Sequence, residues 1–210
     1  MVGSRKRVTF FFGIGSRYSY IAATQIPRFQ AETGAVIEWC PIVSSCLVAS
    51  KDHAPFRWND DAKDWWGARV SGQYKESYRQ TDLARWARFY NIVYNEPKKP
   101  LMSAKRRTLY AVAATMLGVG ERYNLALLEQ IYGRGVAISE KDCKSLARSA
   151  GINLRELEDL LDSDAVQAKH DSWVKTAKKA GIFGVPTFTL DQEFYWGVDR
   201  LPLLESALRS

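Results

Sequence analysis

Ser16 follows the short run "GIG" and precedes "RYSYIAATQIPRFQAETG", a stretch that reads as a helix ending at Gly34. A serine in that place puts a hydroxyl where free backbone amides and the helix dipole favour negative charge. The ordinary reading of such a residue is a helix N-cap, and the two roles are compatible. A second unusual feature lies far downstream in "GIFGVPTFTL", Gly181 to Leu190. There a Val-Pro bond separates a Gly-rich turn from strand-forming residues. Proline donates no backbone hydrogen bond and is unwelcome inside a sheet, so the backbone around Pro186 is either an ordinary turn or left unpaired for a purpose.

The other reactive side chains form no recognisable constellation. Cys40, Cys46 and Cys143 contain no C-x-x-C pair and match neither a disulfide framework nor a zinc site. His53 and His170 have no carboxylate or thiol at ligand spacing, so solvated or structural roles are expected for them. No Ser-His-Asp signature, P-loop or dinucleotide fingerprint occurs. No metal is expected.

Positioning these residues falls to a pattern of strands and helices that changes twice along the 210 residues. "VTFFF" (Val8 to Phe12), the helix behind Ser16 and "AVIEWCPI" (Ala35 to Ile42) form a βαβ unit with parallel strands. Pro27 is expected to kink the helix. A helical series follows. "ESYRQTDLARWARFYN" sets Tyr78, Leu83, Trp86, Phe89 and Tyr90 near one face, and Ser103 is a helix N-cap. Ser139 and Asp142 resemble a capping box, and the last helix of the series stops at Gly181. "TFTL" and "EFYW" then read as a hairpin around Asp191-Gln192, before a closing helix that begins near Asp199. These elements predict an α/β fold: a split domain, residues 1–45 and 181–210, with an all-helical domain inserted at 46–180.

Hydrophobic residues make up 46% and charged ones 25%, as in an ordinary soluble globular chain. The formal charge of +7 is dispersed, with its densest runs at Ser4 to Arg7 and Lys98 to Arg107. Neither run belongs to a nucleic-acid motif, so solvated faces plus a small anionic ligand are expected, with no nucleic acid and no membrane. No export-signal pattern and no long apolar run is present, which makes the cytoplasm the expected compartment.

The order βαβ then ββα is that of a thioredoxin-like domain. Three stretches, "TFFFGIGSRYSYIAA", "YRQTDLARWARFYNI" and "GIFGVPTFTLDQEFYWGVDRLPLLESAL", resemble the 2-hydroxychromene-2-carboxylate isomerases and kappa-class glutathione transferases. These are a DsbA-related group of the thioredoxin fold. "GVPTF" and "WGxDRL" together carry most of the likeness. The resemblance implies a cytoplasmic, homodimeric, glutathione-dependent isomerase acting on a small aromatic or carboxylate substrate. A kappa-like transferase and a catalytically diverged binding protein are the alternatives.

By the same resemblance, Ser16 takes the place of an oxidoreductase's attacking cysteine and stabilises the glutathione thiolate. The Val185–Pro186 bond is expected to be cis, with Val185 pairing its backbone to the cysteinyl part of glutathione. Val198 and Asp199 would hold the γ-glutamyl end. Ser16 and Ser19 occupy the C-x-x-C positions, which disfavours dithiol chemistry. Two residues depart from the family pattern: Gly13 stands for its Asp, and Arg17 for its Pro. The segment Ser44 to Gly67 also lacks the usual glutathione-binding loop, with Asn59 a loose stand-in. Trp65, Trp66, Tyr74, Tyr78 and Tyr94 are candidates for an aromatic wall between the domains.

Overall fold

The computed structural model describes residues 6–47, 72–98 and 102–209, with side chains from residue 76 onward in the second segment. The chain begins with β1 (Arg7–Phe12), α1 (Arg17–Thr33) and β2 (Val36–Pro41). Helices α2 (Gly72–Phe89), α3 (Ala104–Met116), α4 (Gly120–Leu128), α5 (Glu140–Ser149), α6 (Leu154–Leu161) and α7 (Asp164–Lys179) follow. The hairpin β3 (Thr187–Leu190) and β4 (Glu193–Trp196) leads through a 3₁₀ turn, Val198–Arg200, into α8 (Leu201–Arg209). The four strands form one sheet in the order β2-β1-β3-β4. β2 runs parallel to β1, while β3 pairs antiparallel with both β1 and β4. This is the α/β, thioredoxin-like arrangement expected from the sequence, with the helical series between its halves.

Alternation along the central strands builds the core. Phe10 and Phe12 emerge on one face of β1, and Phe10 sits opposite both Trp39 and Phe188 in register. Its ring stacks on Phe12 at 4.8 Å and on Phe188 at 4.6 Å, and meets Trp39 edge-on at 5.2 Å. These residues are essentially free of solvent. The strand that leads into Ser16 is therefore paired on both edges and packed by aromatic rings.

The caps follow the sequence. Gly34 adopts φ 68°, which favours glycine, and returns its N–H to the Gln30 carbonyl to end α1. Ser103 caps α3, and Ser139 and Asp142 form a reciprocal capping box on α5. Helix α1 runs through Pro27 as one element. The face of α2 is different from the one expected. Tyr78 and Phe89 are 64% and 74% exposed, whereas Leu83 and Ala87 are buried and Trp86 and Tyr90 half-buried. Residues 83, 86, 87 and 90 keep the helical i, i+3, i+4, i+7 spacing, and 78 and 89 fall off it.

Polar ties join the helical series to the βαβ unit. Tyr18 donates to Asp82 Oδ2 at 2.8 Å, and Tyr20 donates to the Val93 carbonyl at 2.7 Å. The Val43 amide donates to His170 Nε2 at 3.2 Å, so buried His170 has a structural hydrogen bond. No helix among the described residues is long and apolar enough to cross a membrane.

Candidate active site

β1 stops at Phe12, and the chain turns through Gly13, Ile14 and Gly15 into α1. Ser16 is the N-cap: its Oγ accepts from the Ser19 amide at 3.2 Å. Ser19 is fully buried, and its own hydroxyl accepts from the Gly13 amide at 3.2 Å. The Ser16 amide in turn donates to the Gly13 carbonyl at 3.0 Å. The two serines thus clamp the turn from both sides. Capping uses only one lone pair of Ser16, so its O–H remains available to donate to a bound anion. The first turn of α1 carries no acidic residue to oppose one.

Gly13 is where the distant segments meet. A Cβ placed there would lie 3.3 Å from Val185 Cγ2 and 3.7 Å from Ser16 Cβ. The Val185–Pro186 bond is cis, as expected. Among the described residues Val185 makes no backbone hydrogen bond, because strand pairing resumes only at Thr187. The Pro186 carbonyl accepts from the Gly197 amide at 2.9 Å, which brings the Val198–Arg200 turn alongside. Val198 is buried beneath that turn, and Asp199 is half-exposed and pairs with Arg200 at 2.5 Å. Ser16, Val185, Pro186, Val198 and Asp199 are thus linked by a chain of short contacts, although they span more than 180 residues.

The helical series supplies Glu96, which sequence reading did not single out. Arg17, beside Ser16, pairs with Glu96, which also accepts from the Tyr94 hydroxyl. Burial alone would raise the Glu96 pKa, but these hydrogen bonds prevail and hold it below its ordinary value. A carboxyl depressed in this way stabilises the fold above its unfolded pKa and loses that contribution as pH falls through the folded one. Glu96→Gln is therefore expected to lose less stability than the parent between pH 7 and pH 3, by at most about 1 kcal/mol for a pair this exposed. Thermal melts of both proteins at the two pH values provide the check, and equal acid losses would refute the assignment.

Arg107 is more unusual. It sits at the start of "RTLYAVAATML" on α3 and is only 5% exposed. Among the described residues its Nε and Nη1 have no hydrogen-bond partner, and its Nη2 lies 3.3 Å from the place a Cβ on Gly15 would take. Burial lowers its pKa, yet a guanidinium remains charged in proteins. Its titratable neighbours, Tyr132 and Cys143, are both pushed upward by burial and stay neutral. An uncompensated buried charge of this kind costs several kcal/mol. Tyr132 belongs to a π-helical turn, Glu129–Gly133, a form often found at functional sites.

The run Lys98 to Arg107 was expected to be a solvated face, and Arg107 departs from that reading. The period-3.6 pattern offered the signal: Arg107 lies i−3 and i−4 from Tyr110 and Ala111, which are fully buried. Tyr94 is half-buried and serves Glu96, while Tyr78 faces solvent. Trp65, Trp66, Asn59, His53 and the Tyr74 side chain lie outside the described residues. Among the described residues no group of His, Cys, Asp and Glu could hold a metal ion.

Residues 7–209 match the family described as DSBA-like thioredoxin domain. The chain belongs to that family. Among relatives of this DSBA-like chain, the 2-hydroxychromene-2-carboxylate isomerase of Sphingobium xenophagum is 26% identical over 97% of this chain and 98% of its own length. The one from Pseudomonas putida is 27% identical, covering 96% and 93%. A solved 2-hydroxychromene-2-carboxylate isomerase superposes with a TM-score of 0.77 at 23% identity, over 97% of this chain and 94% of its own. The cytosolic disulfide reductase DsbM from Pseudomonas aeruginosa, solved with GSH, gives a TM-score of 0.63 at 14% identity, covering 97% and 100%. Disulfide reductases and isomerases thus share this DSBA-like fold, and side chains at the turn must tell them apart.

Proposed function

We propose that the protein is a glutathione-dependent isomerase of the 2-hydroxychromene-2-carboxylate isomerase type. The observation that carries this reading is the Ser16 hydroxyl, held at the start of α1 with its proton free, beside the unpaired backbone of Val185. Dithiol exchange has no place at such a turn, since Ser16 and Ser19 stand where two cysteines would be needed. The near-full-length likeness to proteins named 2-hydroxychromene-2-carboxylate isomerase favours isomerisation over the other chemistries of the fold.

The residues fit a thiol tripeptide. Among the described residues Val185 has one free N–H and one free C=O, the pair that an extended peptide engages in strand-like recognition. Asp199 offers an acceptor for an ammonium group at the opening of the last helix. When bound, glutathione supplies the thiol that adds to the unsaturated substrate and is then eliminated, so that a bond freed of double-bond character can rotate. Ser16 donates to the sulfur and, with the α1 amides, favours its anionic form. The protein is expected to act as a homodimer in the cytoplasm.

The test is a calorimetric titration with glutathione, followed by an isomerisation assay on a hydroxychromene carboxylate. Saturable heat and turnover that requires glutathione are expected. No detectable heat at millimolar glutathione would remove the cofactor from this reading. Conjugation of an electrophile without isomerisation would replace the isomerase by a kappa-like transferase.

A further inference from the structure

We propose that Arg107, which lies against Gly15 of the Gly13–Ser16 turn, is the receptor for the carboxylate of the substrate. The choice of substrate carboxylate rests on the reading given under Proposed function; the existence of an anion receptor does not. Two glycines of the turn have different neighbours. Gly13 abuts Val185 from the sheet, and Gly15 abuts Arg107 from the helical series. A peptide thiol engaged by Val185 and Asp199 would lie at the Gly13 end of the turn, which leaves the Gly15 end for the molecule it attacks.

Three features make Arg107 a receptor rather than a packing residue. It is nine-tenths buried, yet among the described residues it makes no ion pair and two of its nitrogens have no partner. Its neighbours Tyr132 and Cys143 are neutral, so no protein carboxylate among the described residues offsets its charge. Gly15, by contrast, is solvent-exposed, and it has no side chain between Nη2 and the start of α1. The guanidinium is planar and rigid, and its paired N–H groups match the two oxygens of a carboxylate. The neighbouring Arg17 is not available for the task, because Glu96 already holds it. Bound at Nη2, a carboxylate would lie beside Gly15, one residue before Ser16 in the chain.

Titration of the full-length protein with 2-hydroxycinnamate and with its neutral amide is the experiment, alongside glutathione as a separate ligand. The parent should prefer the acid to the amide by about tenfold or more, as expected for a charge-assisted bond. Arg107→Met should abolish that preference, Arg107→Lys should retain part of it, and glutathione binding should change by less than about twofold in both. Arg107→Met should also melt at or above the parent temperature, since it removes an unpaired buried charge. Gly15→Ala keeps the charge but crowds Nη2, and should weaken the acid more than the amide even if Arg107→Met fails to fold.

An unchanged preference in Arg107→Met overturns the proposal. So does a lowered melting temperature with both probes lost equally, which marks a structural residue. Weaker binding of glutathione but not of γ-glutamylcysteine would assign Arg107 to the glycine end of the cofactor and overturn the substrate assignment. Failure of the parent to bind glutathione, with the acid preference intact, would instead count against the cofactor and leave the receptor standing.

Discussion

Ser16→Ala is expected to lower turnover by about 10- to 100-fold, because a hydrogen bond to a charged partner contributes roughly 1.5–3 kcal/mol. The pKa of bound glutathione should rise, while its affinity at a pH below that pKa should change little. The substitution also removes the cap on α1, at about 1 kcal/mol of stability. The two losses must be separated, and Ser16→Asp does so. Aspartate caps a helix as well as serine and favours the dipole, so the melting temperature of Ser16→Asp should stay near the parent value. Its carboxylate would nevertheless face the thiolate with like charge and offer no proton. Activity should therefore fall in both variants, and furthest in the one that keeps its stability. An unchanged thiol pKa in Ser16→Ala would remove Ser16 from the chemistry and leave only a cap.

The contrast between Ser16 and Arg107 shows what a linear reading can reach. Ser16 was legible because cap residues, Gly-rich turns and strand endings are local patterns, and its partner Ser19 lies one helical turn away. The hairpin and the Gly34 terminus were legible for the same reason. The assignment of Ser16 and Val185 to one site came from the family resemblance, since no periodicity relates residues so far apart. Arg107 and Glu96 acquire their roles only through packing of α3 and the α2–α3 connection onto the turn. In the sequence Arg107 ends a basic run, and such runs are usually solvated. Only the buried stripe that follows it shows that its helix turns this side chain inward. The α2 face went astray for a related reason: aromatic residues were weighted above strict spacing, and Tyr78 and Phe89 proved to be rim rather than core.

The rigidity of β1 is the remaining condition for this site, and Phe10→Ala probes it with the largest expected stability effect. Phe10 touches Phe12, Phe188 and Trp39 at ring distances that mark tight aromatic contact, and it has no exposed surface. Truncating such a ring costs about 3–5 kcal/mol, since the transfer free energy is lost and the cavity only partly collapses. For a chain of this size each kcal/mol lowers the melting temperature by about 2–4 °C, so a fall of roughly 6–20 °C is expected. Phe194→Ala is the control: that ring lies on the edge strand and is 39% exposed, so a change within about 0.5–1 kcal/mol is expected. Phe10 lies at the centre of the strand that ends in the Gly13 turn, and Phe12 immediately precedes that turn. Loosening their stack should therefore weaken glutathione binding even where the variant is fully folded, because Gly13 sets the approach of Val185 to Ser16. Chemical denaturation gives the first quantity and calorimetry well below the melting temperature gives the second. Loss of stability with unchanged glutathione affinity would mean that the Ser16–Ser19 clamp holds the turn on its own.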